Sequence, residues 1–317
     1  MTATPLGPGP EFDRIRAIGS ALGAAGDDLG DDCAFLPDGW CASTDLAVED
    51  VHFRRAWLDL EEIGWRAAGA SLSDLAAVAA RAEAVLVALG ARAETTAQEI
   101  AAVMRGIGAA AQSVGARVVG GDLSRGPGLA ITVTVLGRAA APVRRRGARP
   151  GDGVWVSGTL GGARAALTAW EAGRVPTAGA RQRFARPAPR IELGRALGAA
   201  GATAMLDLSD GLAADAGHLA SASDVGLELD LDRVPVDPAV VAEAAVVGRS
   251  PAWFAAAGGE DYELLVTLPA AFEAQHPDGA TMAGVPLTRI GRVVAGAGVR
   301  LMEAGVAAAI PGFDHFR

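Results

Sequence analysis

The chain contains no lysine and no asparagine, and all 28 of its basic residues are arginine. The missing lysine removes three mechanisms at once. A P-loop needs the Lys of GxxxxGK[ST], a protein kinase needs its strand Lys, and pyridoxal chemistry needs a Lys for the Schiff base. Without Asn there are no N-glycosylation sequons. Cysteine is scarce as well: Cys33 and Cys41 are the only two, too few for a disulfide framework and poorly placed for zinc. The four histidines, His52, His218, His276 and His315, form no ligand spacing with one another or with a cysteine, which argues against a zinc enzyme. A formal net charge of −9 argues against a nucleic-acid binder, which would present a basic face. No apolar run approaches the about 18 residues of a membrane span. The Pro/Gly-rich stretch 1–12 has neither a basic nor an apolar block, so it does not read as a signal peptide. A cytoplasmic enzyme is the expectation.

What is present is a folded composition, half apolar over 317 residues, long enough for two domains with their own cores. Along it run six acidic stations: Gly30-Asp31-Asp32, Ser43-Thr44-Asp45, Leu72-Ser73-Asp74, Gly120-Gly121-Asp122, Asp207-Leu208-Ser209-Asp210 and Gly258-Gly259-Glu260-Asp261. Each is expected at the edge of an apolar run, where small neighbours let backbone or ligand approach. Hard oxygen ligands in that number suit Mg²⁺, and Mg²⁺ suits a polyphosphate substrate. Carboxylates repel phosphate unless a cation lies between them.

The pattern predicts a short helix over 13–22, strands over 33–36 and 40–43 ending at Thr44-Asp45, and a helix from the Asp59…Glu62 capping box to about Ala70. A second helix is expected from Ser73-Asp74 to Ala80. Strand 84–89, a helix opened by Thr96 and Glu99, strand 117–119 running into the Gly-Gly-Asp turn, and strand 129–137 follow. An Ala/Pro/Arg/Gly-rich stretch over 138–153 marks the domain boundary. Beyond it come strand 154–157, helices over 163–172 and 189–200, strand 204–208, helix 212–223 and strand 226–231. Helices near 238–247 and 251–257 and strands over 262–268, 288–294 and 298–302 complete the pass. Strands and helices mix without regular alternation, so the fold class is α+β rather than a doubly wound sheet.

Taken singly, most motifs have a plain reading. Gly158-Thr-Leu-Gly-Gly-Ala is an ordinary strand–helix turn rather than a dinucleotide loop. Arg144-Arg145-Arg146 alone is a solvated loop. His52 beside apolar residues alone is a packed or capping histidine. Asp207-Leu-Ser-Asp-Gly-Leu carries more, because a strand would deliver two carboxylates and a hydroxyl to one Gly-tipped turn where a helix cap needs only one. The acidic triplets together make a constellation that no one of them makes alone.

The order GDD … STD … VHF … LSDLAA … GGD … RPGD … RPxPR … DLSDGL … GGEDYEL, from about Glu11 to Phe316, resembles the thiamine-monophosphate kinases of the aminoimidazole-ribonucleotide-synthetase-like superfamily. The resemblance implies two mixed α/β domains. Residues 1–140 would be the N-terminal Mg/ATP-binding and dimerisation domain, pairing with its twin in a barrel across a homodimer. Residues 141–317 would complete the ATP and substrate site. ATP and several Mg²⁺ ions would lie between the domains, and the γ-phosphoryl would pass directly to thiamine monophosphate.

By motif, the resemblance assigns Mg²⁺ to Asp31, Thr44, Asp45, Asp74, Asp122, Asp207 and Asp210, with Ser43 adding a backbone ligand. Of these, Asp45, Asp122 and Asp210 would be catalytic. Gly121, Asp122, Arg145 and Ser209 would touch ATP, while His52 and Glu260 would face the thiamine phosphate. Of the two GDD triplets, at 26–28 and 30–32, the second is chosen because Cys-Ala-Phe-Leu follows it. Three positions depart from the pattern. Met104 stands where relatives place a Tyr, Arg149 where they place a Lys, and Ile310 where an aromatic covers the substrate ring, leaving Phe313 as the nearest substitute. The alternatives are a purine cyclo-ligase-like member of the superfamily or a non-catalytic nucleotide- and metal-binding paralogue.

Overall fold

The computed structural model describes residues 5–6, 9–26, 29–277 and 279–310. The first half holds α1 (Pro10–Leu22), β1 (Ala34–Phe35), β2 (Trp40–Val48), α2 (Leu60–Ala77), β3 (Arg81–Ala91), α3 (Ala97–Ser113), β4 (Arg117–Arg125) and β5 (Ala130–Arg138). Its five strands form one sheet in the order β1-β2-β5-β3-β4. Only β3 and β4 run parallel; the other pairs are antiparallel. Helices α2 and α3 start at the two expected capping boxes, Asp59 with Glu62 and Thr96 with Glu99. In each box the cap and the third helical residue satisfy each other's orphan N–H groups.

The second half holds β6 (Gly153–Ser157), α4 (Gly162–Glu171), α5 (Ala178–Ala185), α6 (Ile191–Ala199), β7 (Ala204–Asp207), α7 (Leu212–Ser223), β8 (Gly226–Asp230), α8 (Val240–Val246), α9 (Pro251–Ala256), β9 (Leu264–Leu268), α10 (Ala270–Gln275), β10 (Ala280–Met282), β11 (Val285–Val294), β12 (Gly298–Glu303) and β13 (Val306–Ala308). Its sheet runs β13-β12-β8-β11-β6-β9-β7, with β10 on β11. Strands β6, β7 and β9 are buried along their whole length. Strand β7 ends the sheet, yet α2 from the first half packs against it, and Met205 N donates to Arg144 O at 3.0 Å. The linker over 139–152 thus covers an edge that would otherwise be open.

Three expectations about element ends need correction. Helix α2 does not stop near Ala70 and restart at Ser73; it is continuous to Ala77. The Ser71 hydroxyl bonds back to Ala67 O at 3.2 Å, so the small polar residues are absorbed inside the helix rather than capping a new one. Likewise β2 continues past Thr44-Asp45, and β4 runs straight through Gly120-Gly121-Asp122. Three acidic stations therefore sit inside elements, where the pitch of the element decides which way each acid points.

Candidate active site

Three carboxylates from distant parts of the chain converge. Ligand oxygens of Asp32, Asp74 and Asp207 all lie within 4.8 Å of one another. Asp32 precedes β1, Asp74 sits one turn from the end of α2, and Asp207 closes β7, so both halves contribute. The period of two puts Ser43 and Asp45 on the face of β2 that looks toward α2. From there Ser43 Oγ donates to Asp74 Oδ2 at 2.6 Å. Arg145 closes the group: its Nε and Nη2 donate to Asp32 Oδ1 at 3.1 and 2.7 Å, and its backbone N–H donates to Asp31 Oδ1 at 3.1 Å. Asp32 is only 6% exposed. Its Oδ2, like that of Asp31, is buried without a hydrogen-bond partner.

Burial and crowding set the electrostatics. Burial, then the charge of Asp32, pushes Asp207 up to about 7. Burial, then Asp45, Asp207 and Asp32, lifts Asp74 well above the usual carboxylate range. Asp31 and Asp45 are raised too, each chiefly by burial. Acids that oppose one another's ionisation in a desolvated site have the donor set a hard divalent cation requires. The orphaned oxygens of Asp31 and Asp32 fit such an ion.

The second half adds a tight pair of turns. Asp215 Oδ2 accepts from the backbone N–H of Asp210 and Gly211 at 3.1 and 3.0 Å, fixing the Gly-tipped turn after β7. The Gly-Gly-Glu turn packs against it, with Glu260 N donating to Ser209 O at 2.8 Å. A side chain at Gly259 would meet Ser209 O at 2.3 Å, which is why glycine stands there. Glu260 and Tyr262 hold left-handed backbone (φ 74 and 50), a strain typical of sites where position matters more than stability. The Glu260 carboxylate is gripped by Arg66 Nη2 and by the Tyr262 hydroxyl, the latter at 3.0 Å. Arg66 also donates from Nε to His52 O at 3.2 Å and from Nη1 to Phe184 O at 2.8 Å.

One cavity of about 1040 Å³ joins these features. Of the expected residues, Asp31, Ser43, Asp45, His52, Asp74, Arg145, Asp207, Ser209, Asp210 and Glu260 line it. Others do not. Thr44 is out of phase with Ser43 and Asp45, and its hydroxyl meets Thr134 Oγ1 at 2.9 Å on the opposite face. Asp122 pairs with Ala88, one step out of phase with buried Val87 and Leu89, so it too faces outward from the sheet. Gly121 is explained by the sheet itself, since a Cβ there would lie 1.8 Å from Val87 O. Ile310 lines a separate small cavity with Val299 and Leu301, and Phe313 lies outside the described residues. Met104 packs against the core of the first half.

Two residues were not singled out by motif. Asp32 rather than Asp31 reaches the carboxylate centre, a choice that the Asp-Asp doublet alone does not make. Arg66 had a signal: Glu62, Arg66, Ala70 and Asp74 follow one another at intervals of four and share a helix face.

Comparison with known proteins identifies the fold and the family. Residues 30–139 match the family model for the AIR synthase related protein N-terminal domain, and residues 149–303 that for its C-terminal domain. The thiamine-monophosphate kinase of Halobacterium salinarum is 38% identical over 306 residues, covering 95% of this chain and 98% of that protein. This chain belongs to the thiamine-monophosphate kinase family. The Mycobacterium tuberculosis thiamine-monophosphate kinase is also 38% identical, over 74% of this chain and 73% of its own length. A crystal structure of the family's Aquifex aeolicus member superposes with a TM-score of 0.83 at 31% identity, covering 95% and 98% of the two chains. A structure of AaThiL complexed with AMPPCP and TMP gives a TM-score of 0.86 at 32% identity, covering 96% and 97%. Hydrogenase maturation protein HypE in complex with ATP, at 21% identity and a TM-score of 0.72, shares the two-domain fold.

Proposed function

We propose that this chain transfers the γ-phosphoryl group of ATP to thiamine monophosphate, giving thiamine diphosphate and ADP, with Mg²⁺. The observation that carries the reading is the convergence of Asp32, Asp74 and Asp207 with Arg145 in a cavity that His52 and Glu260 also line. Both reactants are phosphates, so their mutual repulsion is the main barrier to approach. Bound Mg²⁺ would cancel that repulsion and stabilise charge on the transferring group. Asp32, Asp74 and Asp207 would hold it, with Asp31, Asp45 and Asp210 adding negative charge around it, and Ser43 fixes Asp74 by its hydrogen bond. Arg145 offers a guanidinium to the nucleotide phosphates from its anchorage on Asp32. The acceptor phosphate oxygen is already anionic near neutral pH, so no strong general base is needed. Alignment by two fixed turns and electrostatics then do the chemistry.

A homodimer fits the outer face of the first sheet. Thr44, Thr134 and Leu86 follow one another across it in register, and Leu46 and Leu86 are 54% and 37% exposed there. A second copy on this face would bury them, and it is the arrangement in which Asp122 could enter a site. Among the described residues no helix is long and apolar enough to cross a membrane, and a cytoplasmic place suits the reaction. Chromatographic separation of thiamine esters after incubating the pure protein with ATP, Mg²⁺ and thiamine monophosphate tests the activity. Thiamine diphosphate is the expected product, and strict preference for another acceptor would overturn the reading. Light scattering should report twice the chain mass.

A further inference from the structure

The acceptor proposed above is more than a phosphate, since it carries a planar cationic ring. Ile310, the position that the resemblance puts over that ring, lines a separate small cavity rather than the large one. Its substitute Phe313 lies outside the described residues, so among the described residues the ring's surface is sought elsewhere. Among the aromatic side chains on the cavity wall, several are already occupied. Phe12 packs on His218 with centroids 4.2 Å apart, and Phe184 lies under the Arg66 guanidinium at 3.8 Å. Trp253 has Arg249 at 4.6 Å from its ring and its Nε1 bonded to Ala309 O.

Trp57 differs. Its indole stacks on Trp170, with centroids 5.2 Å apart and planes 4° from parallel, and Trp170 is not part of the wall. The loop that carries Trp57 is held in place, because Trp57 N bonds to Arg54 O at 3.0 Å and Arg181 Nη2 to Trp57 O at 3.4 Å. The same loop holds His52, whose carbonyl Arg66 anchors. A backed, pre-positioned indole costs little entropy to bind against. What sits over it now is informative: the guanidinium of exposed Arg54, 4.5 Å from the ring centroid. A guanidinium is itself a flat cation, so this spot already recognises that chemistry. Asp50 and Glu171 line the same cavity and favour a positive ring.

We propose that Trp57 is the platform on which the cationic ring of the acceptor stacks, displacing the Arg54 guanidinium. This rests on the activity proposed above and names the specificity residue within it. Ring stacking is a binding term away from the reacting phosphates, so its loss should appear in the KM for the acceptor rather than in kcat. The experiment measures steady-state kinetics of wild type, Trp57→Leu, Trp57→Phe and Arg54→Ala, varying thiamine monophosphate and ATP in turn, with thermal unfolding of each. Trp57→Leu should raise the KM for thiamine monophosphate about tenfold and leave that for ATP within about twofold. Trp57→Phe should lie between it and wild type, because the smaller ring keeps part of the cation–π attraction. Arg54→Ala should lower the acceptor KM by removing the competitor, a change that loss of a merely structural contact would not produce. An active wild type whose acceptor KM is unmoved by Trp57→Leu, or in which both KM values rise together, overturns the platform while the activity stands. If Trp57→Leu does not fold, an unchanged or raised acceptor KM in Arg54→Ala overturns it instead. A wild type without turnover on thiamine monophosphate sinks the activity, and the platform with it.

Discussion

Arg66 on α2 and Glu260 in the turn before β9 form an ion pair across the two halves of the chain, 194 residues apart in sequence. The same guanidinium holds the carbonyls of His52 and Phe184. One side chain therefore fixes both residues expected to face the acceptor, and ties them to the helix that carries Asp74.

Arg66→Met should remove that tie without removing a metal ligand. The Arg66 side chain is 6% exposed and that of Glu260 is 29% exposed, so the loss of stability should fall between values for exposed and buried pairs, about 2 kcal/mol. The KM for thiamine monophosphate should rise more than that for ATP, and Arg66→Lys should recover only part. An ammonium's three donors share one nitrogen and cannot reach the three acceptors that the guanidinium spans from Nε, Nη1 and Nη2. Equal effects on both substrates would mean that Arg66 is only a structural strut. Glu260→Gln should likewise act on the acceptor. A shift in Mg²⁺ dependence with little change in that KM would instead make Glu260 a metal ligand.

The Asp31–Asp32 doublet gives a sharper test. Asp32 supplies an oxygen to the carboxylate centre and anchors Arg145, whereas Asp31 accepts the backbone N–H of Arg145 and lies beside Arg144. Asp32→Asn should cut kcat by about a hundredfold or more and weaken Mg²⁺ activation. Asp31→Asn should cost less, since its place beside the centre keeps one hydrogen-bonding oxygen. Steady-state rates across a Mg²⁺ titration separate them, and a larger loss at Asp31 would reverse the assignment.

Much of this site was readable before folding, and what was not has a physical cause. The capping boxes at Asp59 and Thr96 are local chemistry, and both helices begin where they predict. Asp207 and Asp210 were legible because a buried strand and a glycine turn leave them one place to go. Thr44 and Asp122 lie outside the large cavity of the single chain, which their triplets do not foretell: a triplet read as a turn has no face, whereas inside a strand each step of one residue reverses the side chain. Asp32 and Arg66 depend on contacts 113 and 194 residues away, which local spacing does not encode.

Asp45→Asn and Asp210→Asn should lower kcat by about two orders of magnitude while leaving the protein folded, because each removes a charge that balances the bound cations with little change in volume. Asp45→Asn should also raise the melting temperature of the metal-free protein. Asp45 adds to the repulsion that lifts Asp74, so a neutral amide relieves a cost retained for function. Calorimetry with chelator present reads this directly. A lower metal-free melting temperature for Asp45→Asn would show that its hydrogen bonds outweigh the repulsion.

The pH dependence follows from Asp207, whose ordinary value of 3.8 is pushed up to about 7 by burial and the charge of Asp32. Between those two values the metal-free native state holds a proton that the unfolded chain has released. Its contribution to stability is therefore complete below about 3.8, and it is lost as pH rises through about 7. Mg²⁺ needs the ionised carboxylates, so it competes with those protons and its apparent affinity should fall as pH drops below 7. Metal stabilises by binding the folded state alone, so the melting-temperature rise on adding Mg²⁺ should be larger at pH 8 than at pH 6. Scanning calorimetry at both pH values, with Mg²⁺ or chelator, checks the sign. Asp207→Asn should flatten the difference by leaving no proton to displace there. A Mg²⁺ shift that is the same at pH 6 and pH 8 in the unsubstituted protein would remove Asp207 from the metal centre.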